Sequence, residues 1–475
     1  MRTRTIIVLC ISSLIVTAQT TFEKIIPLAG AQYLTSVIQM SDGGFAAMGQ
    51  INSMKPDKWL VRTNATGDTL WTRTFPGTGY DYSGDRYFSE TPDGGLTFLS
   101  GYFVPPYAAS LTHVDASGNT VWKKDMFPGA GYVMSPVSGG YIIAGHESDS
   151  TSASDLDVFK VNYNGDLIWK RGYQVFPVSS HKWLTGRAIR ETKDGGFIVA
   201  GNNDYGWMPS PLTYQFLFRI GPSGDSLWYR EYPMSGDVYI SSVDTTADGG
   251  FVACGSIKTG SSAYTMKVDA AGDTLWTSKN LYSPRGQYFY SVLSTPDGGA
   301  IACGETNDVY PGPDTTKVYM VKFSAGGTIE WERRISTLGS SSGYCIERTM
   351  DHGYIICGEV VSYDNSNMCG GLLIKTDANG NFTGTGDKDV LHGYKVFPNP
   401  AYDHVTVSIP EIKNVQQTIT FYDLFGKEVS CRRILIGQTK VTIETGSWQS
   451  GLFLYVISDG SRNITGKICI FGNRH

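Results

Sequence analysis

The chain has 475 residues, of which 41% are hydrophobic, 12% aromatic and 17% charged, with 56 glycines and a formal net charge of −5. That length allows two or three domains and a large core, and many glycines beside many aromatic residues point to an all-β protein. The mild negative charge, with no basic stripe, argues against nucleic acid as a partner.

At the N-terminus, Arg2 and Arg4 precede an apolar run from Ile6 to Val16, and Val16, Thr17 and Ala18 supply the small residues of a cleavage site. Residues 1–18 are therefore expected to be a secretory signal peptide. The run is too short to span a bilayer, and no later stretch of about 18 apolar residues follows. The mature chain is thus expected to have no transmembrane segment. Cys10 lies inside the run, so lipidation there is not expected; the remaining cysteines are odd in number and leave at least one thiol unpaired.

One phrase then recurs. DGGFAAMGQ begins at Asp42, DGGLTFLSG at Asp93, DGGFIVAGN at Asp194, DGGFVACGS at Asp248 and DGGAIACGE at Asp297, with looser copies at Ser138 and Asp351. Between the copies a second motif recurs, of the type GDTLW, ending at Trp71, Trp122, Trp169, Trp228, Trp276 and, in a stretched form, Trp331. Each repeat reads as four strands; in the first these are 33–40, 45–51, 57–64 and 69–76. Gly and Asp suit the tight turns between them, and four antiparallel strands in about 50 residues make a propeller blade.

The seventh copy has no tryptophan strand after residue 381. FEKIIPLAG from Phe22 aligns with WTRTFPGTG from Trp71, with Phe22 at the Trp position, Pro27 matching Pro76 and Gly30 matching Gly79. The expectation is a seven-bladed propeller over 19–381, its last blade closed by an N-terminal strand at 20–28, which removes an open sheet edge. The recurrent Trp is read as packing between blades, and the Asp of DGG as capping its own turn. DASGN at 115–119 and DANGN at 377–381 suggest calcium, but both lack the spacing and terminal Glu of a calcium-binding loop. Cys254, Cys303 and Cys357 fill one slot in different repeats, expected to lie far apart and to want a small buried residue. With scattered histidines and no close Cys or His pairs, no metal site is expected.

In such a blade the DGG and GD turns share one face, while the longer connections share the other. The long loops carry Trp183, Tyr205, Trp207, Tyr310 and Tyr363, the candidate binding residues, beside Asp, Asn and Arg. Rings near amides and carboxylates suit a glycan or a protein hot spot; packing of the loops is the structural alternative. The innermost strands bring Arg190, Asp244 and Glu347 toward the central channel as candidates for acid–base work, with solvated channel lining the commoner role. No nucleophile elbow or phosphate loop is present, so no catalytic residue is assigned.

VDAAGDTLWTSK at 268–279 resembles the tryptophan-docking repeats of quinoprotein-like propellers, and DGGFIVAGN with FRIGPSGDSLW resembles repeats common in secreted proteins of Bacteroidetes. Quinoprotein dehydrogenases would imply a quinone cofactor, eight blades and often adjacent cysteines. Seven blades and no adjacent cysteines imply no cofactor.

A polar linker at 382–393 leads to a last segment, 394–475, whose alternating strands between Gly, Asn and Pro read as a small immunoglobulin-like β-sandwich. A bridge between Cys431 and Cys469 would fit two strands there. In order and spacing the segment resembles the type A C-terminal sorting domain of the type IX secretion system. The matching residues are Pro398, Asn399 and Pro400, the turn at Asp423 and Gly426, the turn at Ser450 and Gly451, and a last strand with Lys467. The resemblance implies translocon and sortase as partners, export through the outer membrane, and release or surface attachment. The chain is thus read as a secreted or cell-surface binding module for glycan or protein rather than an enzyme; a secreted polysaccharide hydrolase or lyase and a structural adhesion protein are the alternatives.

Overall fold

The computed structural model describes residues 20–382 apart from 28–31, 52–56, 77–86, 102–108, 128, 148–154, 176–181, 206–213, 234–237, 258–261, 281–285, 309–314, 336, 338 and 363–368. It also describes 395–470 apart from 398–400, 409–416, 424–426 and 459–462. The expected signal peptide and nearly all of the expected linker lie outside these residues.

Seven four-stranded antiparallel sheets follow one another along the chain. Blade 1 runs from Gln32 to Phe75, blade 2 from Phe88 to Phe127, blade 3 from Gly129 to Tyr173 and blade 4 from Lys182 to Tyr232. Blade 5 runs from Val238 to Asn280, blade 6 from Gln287 to Ile335 and blade 7 from Gly339 to Thr376. Each inner strand lies against the inner strand of the next blade, and that of blade 7 against that of blade 1, so the sheets form a closed seven-bladed β-propeller around a channel.

The fourth strand of blade 7 is Phe22–Pro27, paired antiparallel with Cys369–Thr376. Phe22 lies opposite Lys375, just as Trp71 lies opposite Arg62 and Trp276 opposite Lys267. Phe22 thus fills the tryptophan slot. Its ring meets Phe45 of blade 1 edge-on at 5.7 Å, and Gly67 of blade 1 lies over it. In the other blades the tryptophan does the same: the indole of Trp276 donates a hydrogen bond to the Ala325 carbonyl of blade 6 at 2.9 Å. The hydrophobic core is accordingly a series of layers between blades, such as that of Phe22, Leu34, Phe45, Trp59, Cys357 and Leu373. Third strands, such as Ser262–Val268, are buried along their whole length, whereas outer strands such as Thr69–Phe75 are mostly exposed.

The glycine that ends the recurring phrase has a steric cause. In six blades the inner strand carries a one-residue bulge, at Thr35, Tyr132, Arg187, Ser241, Tyr290 and Tyr344. The bulge presses the inner backbone onto the second strand. A Cβ on Gly304 would lie 1.8 Å from the Tyr288 carbonyl oxygen, and one on Gly358 1.8 Å from that of Ser342. Only glycine fits.

Beyond the propeller, a three-stranded sheet (Lys395–Phe397, His404–Ser408, Lys440–Glu444) and a four-stranded sheet enclose Val405, Ile419, Phe421, Phe453 and Ile468 as an immunoglobulin-like sandwich. Cys431 and Cys469 lie on the two edge strands of the four-stranded sheet. Three strand spacings, about 14 Å, separate those edges, too far for a disulfide. The bridge that the sequence left open is therefore not formed. The slots of Cys303 and Cys357 are nearer than expected: after burial and the effect of Cys345, which lies directly opposite, the Cys303 charge also pushes the Cys357 thiol up.

Candidate functional site

The channel has two chemically different ends. At the tight-turn end, the carboxylate of each DGG turn accepts the amide two residues on, as Gly44 to Asp42 at 2.9 Å and Gly299 to Asp297 at 3.1 Å. Each also meets a cation or histidine from the third strand. The pairs are Asp42 with Arg62, Asp93 with His113 at 3.1 Å, and Asp194 with Arg219 at 2.6 Å. Asp248 meets Lys267 at 2.8 Å, Asp297 meets Lys322 at 2.7 Å and Asp351 meets Lys375 at 2.9 Å. The hydrogen bond from Lys267, with one from Thr246, pulls the Asp248 carboxyl down to about 2. Burial pushes Asp297 up, but Lys322 and Thr295 outweigh it and bring that carboxyl to about 2. In blade 3 Ser138 stands in the Asp slot, and Lys160 instead lies 5.6 Å from the Phe197 ring of blade 4.

At the loop end the equivalent positions differ from blade to blade. The residue after the phrase-ending glycine is Glu305 in blade 6, Glu359 in blade 7 and Gln50 in blade 1, and the bulge residues of blades 6 and 7 are both tyrosines. The register sets Glu305 opposite Tyr288 and Glu359 opposite Ser342. The Tyr344 hydroxyl donates to Glu359 at 2.5 Å, the Ser342 hydroxyl donates to Glu305 of the neighbouring blade, and the Tyr33 hydroxyl donates to Gln50 at 3.0 Å. The rings form a wall: Tyr290 and Tyr344 meet edge-on at 5.3 Å, Tyr344 and Tyr33 edge-on at 6.1 Å, and Tyr288 and Tyr290 lie nearly parallel at 6.5 Å. All these tyrosines and both glutamates are half-buried, so the recess is reachable.

Burial raises the Glu359 carboxyl; the Tyr344 hydrogen bond opposes this, and the nearby Glu305 charge adds to it. Burial, then Glu305, pushes the Tyr290 phenol up, and burial, then Glu359, does the same to Tyr344. The recess combines flat apolar rings, hydroxyls and two carboxylates. That set can pack against a ligand's apolar face while accepting its hydrogen bonds.

The sequence-derived candidates fall elsewhere. Trp183 and Tyr205 lie at the loop end of the blade 4 hairpin, opposite Asp204 and Lys182; Trp207, Tyr310 and Tyr363 lie outside the described residues. Arg190, Asp244 and Glu347 occupy one equivalent slot in blades 4, 5 and 7, near the tight-turn end, opposite Ile198, Val252 and Ile355. The Asp244 carboxylate accepts the amides of Thr245 at 2.9 Å and, across the blade boundary, Ser294 at 2.8 Å. Buried Arg190 donates to the Ile189 carbonyl at 2.9 Å, and Glu347 is half-buried. The Asp115 and Asp377 carboxylates accept amides within their own turns. Among the described residues no group of three or more His, Cys, Asp or Glu is placed to hold a metal ion.

In the sandwich, the Asp423 carboxylate accepts the Lys427 amide at 2.9 Å and closes its turn. Gly451 pairs with Ile470, and Lys467 with Leu454 on the last strand. Pro398, Asn399, Pro400 and Gly426 lie outside the described residues.

Residues 395–471 match the family described as a secretion system C-terminal sorting domain. This sandwich is a type IX sorting domain. The sorting domain implies export by that system to the cell surface or beyond. No curated protein sequence matches the chain. Among solved structures, it is similar to a protein of unknown function from Dyadobacter fermentans, at 12% identity and a TM-score of 0.45, covering 75% of this chain and 98% of that one. It is also similar to the β-propeller domain of the Trilobed protease from Pyrococcus furiosus, at 10% identity and a TM-score of 0.42, covering 75% and 98%. A polysaccharide lyase described as an ulvan lyase matches at 9% identity and a TM-score of 0.49, covering 74% and 96%. At such identities the likeness concerns the fold alone.

Proposed function

We propose that the propeller is a binding module for a glycan, delivered outside the cell by its sorting domain, and that the ligand enters the loop end of the channel between blades 6, 7 and 1. The observation that carries this reading is the tyrosine and glutamate recess. The residue after the phrase-ending glycine and the bulge residue vary round the ring, and in the adjacent blades 6, 7 and 1 they bring tyrosine rings and two glutamates into one half-buried cluster. In this reading residues 1–18 direct the chain to the periplasm, the sortase removes the sorting domain, and Pro398, Asn399, Pro400, Asp423, Gly426, Gly451 and Lys467 belong to the surface read during export. In this reading Trp183, Tyr205, Trp207, Tyr310 and Tyr363 remain candidate binding residues.

The test is thermal unfolding of the exported protein against a panel of polysaccharides. A ligand that binds the folded state alone raises the midpoint. A rise with one glycan that Tyr290→Ala abolishes supports the reading. A panel without any rise counts against it and favours a protein partner.

A further inference from the structure

The two glutamates of the recess lack something that other carboxylates of the propeller have. Around the tight-turn end the fold supplies a lysine, arginine or histidine to every DGG aspartate, at 2.6 Å for Asp194 and 2.9 Å for Asp351. On the outer strands Lys24 meets Asp68 at 2.7 Å and Lys124 meets Asp166 at 2.6 Å. At the loop end, the partners of Glu305 and Glu359 among the described residues are hydroxyls: Ser342 and Tyr290 for the first, Tyr344 for the second. The charge that Glu359 feels most is that of Glu305, a like charge. Two half-buried carboxylates on adjacent blades repel one another unless a cation joins them. A hard metal ion would need six or more oxygen ligands, whereas the walls here are tyrosine rings, which attract organic ammonium groups through their faces.

We propose that the recess of Tyr290, Tyr344, Glu305 and Glu359 receives the ammonium group of an amine-bearing sugar, so that the glycan of this protein carries glucosamine-type residues with free amines. The inference rests on the glycan-binding reading above and adds the charge of the ligand. The rings of Tyr288 and Tyr290 lie nearly parallel with their centroids 6.5 Å apart, next to the edge-on pair of Tyr290 and Tyr344. An aromatic cluster of this kind packs against the C–H face of a pyranose over a larger area than against the thin alkyl chain of a lysine. The amine then lies toward the carboxylates, where each hydrogen bond is charge-assisted.

The experiment compares two probes by calorimetric titration of the exported protein: a glucosamine hexasaccharide with free amines, and the same hexasaccharide fully N-acetylated. The two share ring geometry and differ in charge. The expected result is binding of the free-amine form, binding of the acetylated form weaker by about tenfold or more, and a similar loss for the free-amine form in Glu359→Gln and Glu305→Gln. Both variants keep the shape of the side chain, and their unfolding midpoints check that they fold. Equal binding of both probes, or unchanged binding in the Gln variants, overturns the inference while leaving the glycan-binding reading standing. Stabilisation by calcium in place of the sugar also overturns it. If neither probe nor any glycan of the panel binds, the inference falls together with the reading beneath it.

Discussion

The two ends of the channel are built from the same strands yet follow opposite rules. At the tight-turn end six blades repeat one arrangement, a turn carboxylate over a buried cation or histidine beside a blade-spanning ring. At the loop end the equivalent positions vary, and blades 6 and 7 carry Tyr290, Glu305, Tyr344 and Glu359, whose carboxylates meet hydroxyls. The first end is compensated charge and serves the scaffold. The second holds two half-buried carboxylates whose partners among the described residues are hydroxyls. In a repeat protein, what recurs keeps the ring together and what departs marks the place where the ring meets something else.

The largest expected effect is at the compensated end. Asp248→Ala leaves the Lys267 ammonium buried, 5% exposed, without its carboxylate. Removing one partner of a fully buried pair costs about 3–5 kcal/mol. Because the Asp248 side chain is 54% exposed, the solvent-screened loss should be about 1–2 kcal/mol by denaturant unfolding. Asp297→Ala should cost about half as much, since Lys322 keeps Glu330 at 3.1 Å. Equal losses would mean that Glu330 does not take over the pairing that Asp297 supplies.

The next effect depends on pH. Asp248 and Asp297 titrate below the ordinary 3.8. Their stabilisation is present above that value and is lost as the pH falls toward about 2. Glu359 is raised above 4.5, so its contribution is full below 4.5 and is lost as the pH rises through its folded value. Glu359→Gln should therefore unfold at a higher temperature than the natural chain at neutral pH and at the same temperature below 4.5. A variant less stable at neutral pH would show that the glutamate is compensated after all.

The smallest effect tests the repeat itself. His352 holds φ of 65° in the turn slot where the other blades have glycine, for example Gly298 at 82°. His352→Gly should raise stability by up to about 1 kcal/mol, read as a small rise in midpoint. A fall would assign the imidazole a contact worth more than the backbone strain.

Much of the scaffold was legible. The alignment of Phe22 with Trp71 rests on a spacing that strand pairing enforces, and both residues take the same register. The DGG aspartate could be read as a turn cap because its partner amide is two residues away. The cation it also meets sits 20 residues on, as Arg62 does from Asp42. Nothing local marks that pairing, although a basic residue opposite each tryptophan was there to be counted. The recess was missed for a related reason. Glu305 and Glu359 follow a glycine read as part of a second strand, and Tyr290 and Tyr344 reach them because a bulge adds one residue to each inner strand. A bulge changes which side chains share a face, and alternation read from sequence does not show it. Arg190, Asp244 and Glu347 were recognisable as inner-strand residues, but not that Asp244 is taken up by two amides.

The strand Phe22–Pro27, read against its partner Cys369–Thr376, makes the ring a check on the completeness of its own synthesis. The first propeller strand to leave the ribosome has no partner until nearly the last propeller strand has been made. A chain cut short anywhere in between is left with an unlatched blade and an open strand edge, the form that proteases and chaperones recognise. Only a chain translated through blade 7, next to the start of its export address, can snap shut.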